Sequence, residues 1–402
     1  MDTHLISSRH NLEGDDPIFR INALAQSRKS QGHPVVNLSI GALLDDEGQL
    51  VTLRTVIDAW SALVPMEIHP YAPILGDPEF IEAITHHYWP QAPSTILGCA
   101  TPGATGALVV SLRNLLEPGQ TVLTFDPCWT PYETLAFENR IKLEKVPYPF
   151  GDDPSSLAVI ESKLEDIMKQ QGRILFWLND PCHNPTGQHL SAVHRRALLD
   201  MFDRLSRKGP VSVILDLAYL EYTRDVATVK NILEDYAEWG VSSSTLLGAA
   251  LSISKPLTLY GARCGALVFP WRTDDQLKTA LAISCRGMFS NAPRAPQSLV
   301  KKLYCDPGLL EKLASEHRKW STVLTDRADR LSQQLVEKNI DHSHFEGGFF
   351  ITIPHSNPEK VIQGLQRDDI YLIPLERGMR IAVCALKEKE ITRLVDSLHR
   401  CL

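Results

Sequence analysis

Short apolar runs recur along the chain, separated by segments in which apolar residues have the spacing of amphipathic helices. Four runs predict buried strands, at residues 121–126, 173–179, 211–216 and 245–251, and a fifth run at 264–269 predicts another strand. Runs that stay apolar throughout are typical of parallel strands covered on both faces. Because these strands alternate with helical segments, the pattern predicts a large α/β domain with a mostly parallel, doubly wound sheet.

The two ends of the chain carry further elements. Asp16 followed by Pro17 predicts the capped start of a helix, because Asp is favoured at the N-cap and Pro at the first helical position. Residues 35–40 predict a short strand. A long, charge-rich helical stretch spans about 307–338, and strand patterns within 345–384 precede a closing helix.

These patterns predict two units, which the length of 402 residues also favours. We expect residues 1–44 to form a polar N-terminal arm and part of the small domain, and residues 45–305 to form the large domain. Residues 306–402 would complete a smaller α+β domain, with the helix at about 307–338 linking the two domains.

Composition narrows the possible partners. The formal net charge of −7 argues against nucleic acid as the main partner. No apolar run reaches the roughly 18 residues of a membrane span, and the first residues lack the basic and apolar regions of a secretory signal. The eight cysteines are scattered without a C-x-x-C pair, which is typical of free thiols in a reducing compartment. We therefore expect a cytoplasmic protein without a membrane partner or a metal site.

The main candidate for chemistry is the segment 252–263, which follows the fourth apolar run. A lysine at the end of a strand, here Lys255, points its amine into a cleft, where lost hydration lowers its pKa and makes it a nucleophile towards aldehydes. Ser252, Ser254 and Arg263 supply hydrogen-bond donors for an anion beside it. A phosphorylated aldehyde that meets both conditions is pyridoxal phosphate. The alternative is a Lys-Pro loop on the surface.

Other candidates lie where predicted strands end, since ligands of open α/β sheets bind at that edge. Small residues before a helix leave free N–H groups at Ala104 and Thr105, a favourable position for phosphate. Trp129 follows the first run and can stack on a planar ring, Asn184 is an amide in a loop with two prolines, and Asp216 ends the third run. Each of them alone also has an ordinary structural explanation, such as a tight helix start or a core tryptophan.

Together these segments resemble the class I aminotransferases, which are fold type I pyridoxal-phosphate enzymes, and among them the aspartate and aromatic amino acid branch. The resemblance covers the chain from about Asp16 to Leu398. It rests on three motifs in order, namely Asn184-Pro185-Thr186-Gly187, Asp216-x-x-Tyr219, and Ser252-x-Ser254-Lys255 with Arg263 eight positions further on.

The resemblance implies a role for each matched residue around pyridoxal phosphate. Lys255 would hold the cofactor covalently and move a proton between the substrate α-carbon and the cofactor, while Asp216 would keep the pyridine nitrogen protonated. Tyr219 and Asn184 would hydrogen-bond the phenolic oxygen, and Trp129 would stack on the ring. The phosphate would be bound by Ala104, Thr105, Ser252 and Arg263.

The resemblance also implies how substrate binds. Arg380 would bind the α-carboxylate, and Gly41 would let the small domain close over it. Tyr71 would reach the phosphate in the neighbouring subunit, and Arg286 would receive a distal carboxylate across the dimer, so a homodimer with shared active sites is expected. The implied substrate-binding set is Gly41, Trp129, Asn184, Arg286 and Arg380.

Two positions depart from the family pattern. Gly103 stands where a serine is usual in the phosphate loop, which removes one hydroxyl group, and Gly287 follows Arg286 where a proline is common, which predicts a more mobile loop. Neither change removes a group that the chemistry requires. Taken singly, Arg286 and Tyr71 are also explained as a surface salt-bridge arginine and a surface tyrosine.

The expected function is a ping-pong transamination, in which aspartate, glutamate or an aromatic amino acid donates the amino group and 2-oxoglutarate or oxaloacetate accepts it. One alternative is a lyase or decarboxylase with the same cofactor. Another is a non-catalytic sensor of the same fold, but the fewer than 20 residues before the first predicted helix leave no room for a DNA-binding module. The sequence leaves the choice between dicarboxylic and aromatic donors open.

Overall fold

The computed structural model describes residues 4–6, 9–10, 16–151 and 154–402, so part of the predicted N-terminal arm lies outside the described residues. The strands are β1 (Val36–Asn37), β2 (Leu97–Thr101), β3 (Thr121–Asp126), β4 (Lys142–Pro147), β5 (Ile174–Leu178), β6 (Val211–Leu217), β7 (Leu246–Ser252), β8 (Gly265–Phe269), β9 (Phe350–Pro354), β10 (Ile370–Tyr371), β11 (Ile373–Leu375) and β12 (Gly378–Ala382). The helices are α1 (Pro17–Ser30), α2 (Arg54–Ser61), α3 (Pro65–Ile68), α4 (Pro78–Tyr88), α5 (Gly103–Leu115), α6 (Pro131–Glu138), α7 (Ser155–Gln171), α8 (Ala192–Ser206), α9 (Val226–Ser242), α10 (Asp275–Met288), α11 (Arg294–Tyr304), α12 (Pro307–Glu337), α13 (Pro358–Arg367) and α14 (Ile391–Cys401).

The main sheet contains seven strands in the order β2-β8-β7-β6-β5-β3-β4. β8 is antiparallel to both of its neighbours, and the other neighbouring pairs are parallel. Helices pack against this sheet, among them α5 on β7 and β8 and α8 on β6. The mostly parallel α/β architecture predicted from the sequence is confirmed.

The apolar runs located the central strands, as β3, β5, β6, β7 and β8. Every residue of β5 and β6 is buried, as the uniform apolar pattern predicts. The pattern missed β2, whose small residues were interpreted as the approach to a helix, and β4. β4 is one of the two edge strands, and its exposed Lys142 and half-buried Glu144 and Lys145 remove the apolar run that marks a central strand.

A second, antiparallel sheet has the order β11-β12-β9, and β1 pairs in parallel with β10. The predicted strand at 35–40 is therefore only two residues long. α12 runs for 31 residues and is capped by Asp306. Asp16 accepts a hydrogen bond from the N–H of Ile18 over 2.8 Å, which is the predicted cap of α1.

The carboxyl ends of the parallel strands β3, β5, β6 and β7 meet at one edge of the main sheet, as in other open α/β sheets. The loops after these strands and the start of α5 surround a pocket there. In the part of the chain that the structure describes, we find no helix with the length and apolar character that a bilayer crossing needs.

Candidate active site

The pocket at this edge brings together the cofactor-binding residues predicted within the subunit. Its lining consists of Ala104, Thr105, Trp129, Asn179, Asn184, Asp216, Ala218, Tyr219, Ser252, Ser254, Lys255 and Arg263. Tyr71, which was predicted to act in the neighbouring subunit, is not among them.

Lys255 lies in the turn after β7. Its Nζ is 5.0 Å from the ring centroid of Tyr260 and 5.8 Å from that of Tyr219. Burial lowers the pKa of Lys255 to about 8, and the positive charges of Arg263 and Arg380 act in the same direction. Near neutral pH a fraction of this amine is therefore unprotonated, which is the form that attacks a carbonyl carbon.

Arg263 gives the pocket a cationic wall beside two hydroxyl groups. Its Nη1 donates to Oγ of Ser254 and to the carbonyl oxygen of Tyr260, each over 3.0 Å. Oγ of Ser252 accepts a hydrogen bond from the N–H of Ser254 over 3.1 Å, so its own hydroxyl hydrogen remains free to donate. A guanidinium group and free hydroxyl donors suit a phosphate.

The start of α5 completes this anion-binding wall. Ala104 and Thr105 lie in its first turn, where backbone N–H groups have no intrahelical acceptor. Gly103, which replaces the serine usual in the family, has φ of +72°, and a Cβ at this position would lie 2.6 Å from Nη2 of Arg263. The space that a serine side chain would need is therefore filled by the arginine.

Asp216 is buried near the carboxyl end of β6. Its Oδ2 accepts a hydrogen bond from the hydroxyl of Tyr132 over 2.6 Å, whereas Oδ1 has no partner among the described residues. Burial raises the pKa of Asp216 to about 6, and the hydrogen bond from Tyr132 and the charge of Lys255 oppose this rise. A buried, unpaired carboxylate oxygen is unfavourable unless a ligand donates to it. A protonated ring nitrogen fits this position.

Asn184 connects several parts of the site. Its backbone N–H donates to Oδ1 of Asn179 over 2.6 Å, its Nδ2 donates to the hydroxyl of Tyr219 over 3.2 Å, and its Oδ1 accepts from Nη1 of Arg380 over 3.3 Å. Burial raises the pKa of Tyr219, so its hydroxyl is protonated at neutral pH. Because Tyr219 accepts from Asn184, that hydrogen is available for another oxygen.

Arg380 lies buried on β12, in the smaller sheet. Its Nη2 donates to the carbonyl oxygen of Ser39 over 2.8 Å, and its guanidinium carbon is 4.1 Å from the ring centroid of Phe350. Nε has no partner among the described residues, which leaves a buried donor for a carboxylate. A Cβ at Gly41 would lie 2.7 Å from Cζ of Phe350, so a glycine at this position permits the close approach of the two segments.

Tyr71 and Arg286 lie outside the pocket, on the surface. Tyr71 is 89% exposed. Arg286 was predicted in a loop, which is wrong, because α10 continues to Met288 and places it in the last helical turn. Gly287 also belongs to this helix, so the expected mobile loop is absent here. Since Gly287 retains the backbone N–H that a proline lacks, the helix is not interrupted.

The segments that carry Tyr71 and Arg286 are neighbours. Nδ2 of Asn291 donates to the carbonyl oxygen of Ala72 over 3.0 Å, and Nη1 of Arg286 donates to Oγ of Ser290 over 2.6 Å. The two residues that were expected to act across a dimer therefore lie on adjoining segments.

The sequence patterns missed three residues of the site. Asn179 directly follows β5, and its Nδ2 donates to the carbonyl oxygen of Asp216 over 2.7 Å. Its position after a buried strand was a usable signal. Tyr132 follows Trp129 by three residues, and their ring centroids are 5.5 Å apart. Phe350 belongs to an apolar run and carried no signal of its own.

The site suits a phosphorylated aromatic aldehyde. It combines a buried lysine of lowered pKa, a carboxylate with an unpaired oxygen among the described residues, and a cluster of one arginine and two serines. On a mostly parallel α/β sheet, they are the features of a lysine-dependent enzyme with a bound cofactor. The comparisons with known proteins agree. The family model for class I and II aminotransferases matches residues 33–398, so this chain belongs to the class I and II aminotransferase family and is an enzyme of that kind. Enzymes of this family depend on pyridoxal phosphate.

Individual relatives span the whole fold. The aspartate aminotransferase of Pseudomonas aeruginosa is 25% identical over 410 residues, which cover 96% of this chain and 97% of the relative. The crystal structure of an aminotransferase from Anaerococcus prevotii matches with a TM-score of 0.91 at 27% identity and covers 99% of both chains. An aromatic-amino-acid aminotransferase from Burkholderia pseudomallei, described as covalently bound to pyridoxal phosphate, has a TM-score of 0.80 at 21% identity and covers 99% of this chain and 100% of its own.

Proposed function

We propose that this enzyme uses pyridoxal phosphate to move an amino group from aspartate, glutamate or an aromatic amino acid to 2-oxoglutarate or oxaloacetate, in two half-reactions of a ping-pong cycle. The observation that carries the proposal is the presence of the Lys255 amine, the free oxygen of Asp216 and the guanidinium of Arg263 in one pocket. The aspartate and aromatic amino acid substrates in the names of its relatives support these donors.

When bound, pyridoxal phosphate supplies an aldehyde for covalent attachment and a ring that withdraws electrons from the substrate. Nζ of Lys255 removes the proton from the substrate α-carbon, which its lowered pKa favours. Asp216 would accept a hydrogen bond from the protonated ring nitrogen and so keep the ring electron-withdrawing. The Tyr219 hydroxyl and the Asn184 amide would hydrogen-bond the phenolic oxygen, and the indole of Trp129 would cover the ring.

Substrate binding involves the smaller sheet. Arg380 binds the α-carboxylate shared by all amino acids, for which its unpaired Nε is available. Phe350 lies against this arginine, and the glycine at position 41 beside Phe350 lets the small domain close over bound substrate. We propose that the chain divides into 1–44, 45–305 and 306–402 as the sequence suggests.

We further propose a homodimer. Tyr71 and Arg286 lie on adjoining surface segments outside their own pocket. Exposed apolar side chains lie close to them in the chain, at Val64, Met66 and Ile283, and an apolar surface is typical of an interface. In the dimer, Tyr71 reaches the cofactor phosphate of the other subunit, and Arg286 receives the distal carboxylate. The eight free thiols support a reducing compartment such as the cytoplasm.

The test is spectroscopic. Protein purified with the cofactor is expected to absorb visible light, and glutamate without an acceptor is expected to bleach that absorption in proportion to the 2-oxoglutarate formed. Lys255→Ala is expected to lose turnover. Normal turnover in Lys255→Ala would remove Lys255 from the proton transfer. Product analysis separates transamination from a lyase or decarboxylase, because only transamination stops when the oxo-acid acceptor is left out.

A further inference from the structure

The turn that carries Lys255 is held by side chains that the chemistry above does not use. Pro256 has no N–H, so the backbone at this residue offers only a carbonyl group for hydrogen bonding. The Tyr222 hydroxyl donates to the carbonyl oxygen of Lys255 over 3.2 Å. Nε2 of His317, on α12, lies 2.6 Å from the carbonyl oxygen of Pro256. Both carbonyl groups next to the amine-bearing side chain therefore have buried partners.

The bond to Pro256 determines the tautomer of His317. A carbonyl oxygen only accepts hydrogen bonds, so Nε2 carries the hydrogen. Burial lowers the pKa of His317, against the opposing charge of Glu221, and the ring is a neutral donor at neutral pH. A leucine or phenylalanine would fill this space as well, so the donor itself is the feature that needs an explanation.

The ring of His317 is itself held in place by neighbouring residues. It packs edge-on against Tyr222, with the ring centroids 5.7 Å apart and the planes at 70°. Ser321, one helical turn further along α12, donates to the carbonyl oxygen of Glu221 over 3.0 Å. The Glu221 carboxylate accepts from the hydroxyl of Tyr88 over 2.5 Å. Two successive turns of α12 are thus fixed to the loop after β6 and to the lysine turn.

We propose that His317 is a positioning residue for Lys255. By donating to Pro256, it fixes the backbone from which the amine extends, together with the bond from Tyr222 to the carbonyl of Lys255. The inference rests on the proposed function, because Lys255 transfers its proton only with cofactor bound. Proton transfer depends steeply on the placement of the reacting atoms, and a displacement of about 1 Å can lower a rate about 100-fold.

The test compares two variants of His317. His317→Gln keeps an N–H donor at nearly the same reach, whereas His317→Phe fills the space without a donor. In His317→Phe we expect kcat to fall about tenfold with KM changed by less than about twofold, and the visible circular dichroism of the bound cofactor to change. In His317→Gln both quantities should stay near the wild-type values. A purely structural role would lower thermal stability and leave the circular dichroism per bound cofactor unchanged.

His194→Phe is the matched control. His194 is also buried, but neither of its ring nitrogens has a hydrogen-bond partner among the described residues. This variant should keep the wild-type kcat and circular dichroism.

The outcomes separate the two proposals. Wild-type protein that absorbs no visible light with the cofactor present contradicts the proposed function itself. If the wild type absorbs but His317→Phe matches it in kcat and circular dichroism, or if His317→Gln loses as much as His317→Phe, the positioning role is overturned. Should His317→Phe fail to fold, Tyr222→Phe removes the hydroxyl that donates to the carbonyl oxygen of Lys255 in this turn. The same two measurements then decide: changed circular dichroism with lowered kcat supports the positioning role, and unchanged values overturn it.

Discussion

The hydroxyl of Tyr132 donates to Oδ2 of Asp216 over 2.6 Å, while Oδ1 of this pocket-lining carboxylate has no partner among the described residues. Both groups are buried. The bond orients the carboxylate, and it also lowers the pKa of Asp216 against the larger, opposite effect of burial. One tyrosine therefore contributes to both the orientation and the charge of the acid that we propose as the partner of the ring nitrogen.

Tyr132→Phe tests this relationship. Without the hydroxyl, the pKa of Asp216 is expected to rise further above about 6. The protonated acid no longer keeps a positive charge on the ring nitrogen, so the acidic limb of the kcat/KM profile should move to higher pH. We expect kcat at neutral pH to fall about tenfold, in line with the loss of a hydrogen bond to a charged group. Steady-state kinetics between pH 5 and 9 checks both effects.

Tyr148→Phe is the control for this change. Its hydroxyl is buried without a partner among the described residues, and its ring stacks on His183 with centroids 4.4 Å apart. Removing this hydroxyl should leave the pH profile unchanged and the protein at least as stable. Equal pH profiles for Tyr132→Phe and the wild type would contradict the role of Tyr132.

Asp216→Asn is expected to stabilise the cofactor-free protein while abolishing turnover. The folded protein holds the carboxyl with a pKa of about 6, above its unfolded value of 3.8. Between these values the folded state binds more protons, so stability falls as pH rises through this window and the loss is complete above it. The asparagine variant should therefore be more stable above pH 6, by on the order of 3 kcal/mol, and the difference should vanish below pH 4.

Urea unfolding of both cofactor-free proteins across this pH range measures the effect. A difference that is constant with pH would show that the ionisation of Asp216 is not its cause. Loaded with cofactor, the wild type should regain the advantage, because in the proposed site the ring nitrogen would donate to Oδ1 of Asp216.

The fold was largely readable from the sequence because a parallel sheet buried on both faces requires uniform apolar strands, as in β5 and β6. β4 was not predicted, because a strand at the edge of the sheet does not need a uniform apolar run. Asp216 and Asn184 were readable because strand ends and rigid loops place polar groups at the pocket. Tyr132 and His317 were not, because their partners are 84 and 61 residues away in the chain and only the folded structure brings them together.

Gly103→Ser restores the residue usual in the family, and we expect it to weaken cofactor binding here. The φ of +72° is unfavourable for serine, and its Cβ would lie 2.6 Å from Nη2 of Arg263. Arg263 is anchored to Ser254 and to the carbonyl of Tyr260, so moving it disturbs the anion-binding wall. The Kd for pyridoxal phosphate, measured by fluorescence titration, should rise about tenfold, which corresponds to strain of about 1.4 kcal/mol.

Gly261→Ser is the matched substitution in the neighbouring segment, because a Cβ there meets no atom within 4 Å. It should leave the Kd unchanged. A tighter Kd in Gly103→Ser would show instead that the added hydroxyl binds phosphate and that Arg263 adjusts freely.

Arg286→Ala should distinguish donors by their side chains. A guanidinium that pairs with a distal carboxylate contributes about 1.5–3 kcal/mol, so kcat/KM for aspartate should fall at least about tenfold. Phenylalanine has no distal carboxylate, and its kcat/KM should change by less than about threefold.

Arg380→Ala provides the contrast, because the α-carboxylate is common to both donors and both should lose activity alike. The two variants are expected to differ because Nε of Arg380 is buried without a partner among the described residues, whereas Arg286 lies on the surface in the last turn of α10. Equal losses for aspartate and phenylalanine in Arg286→Ala would remove this arginine from the distal carboxylate and leave donor preference to other residues.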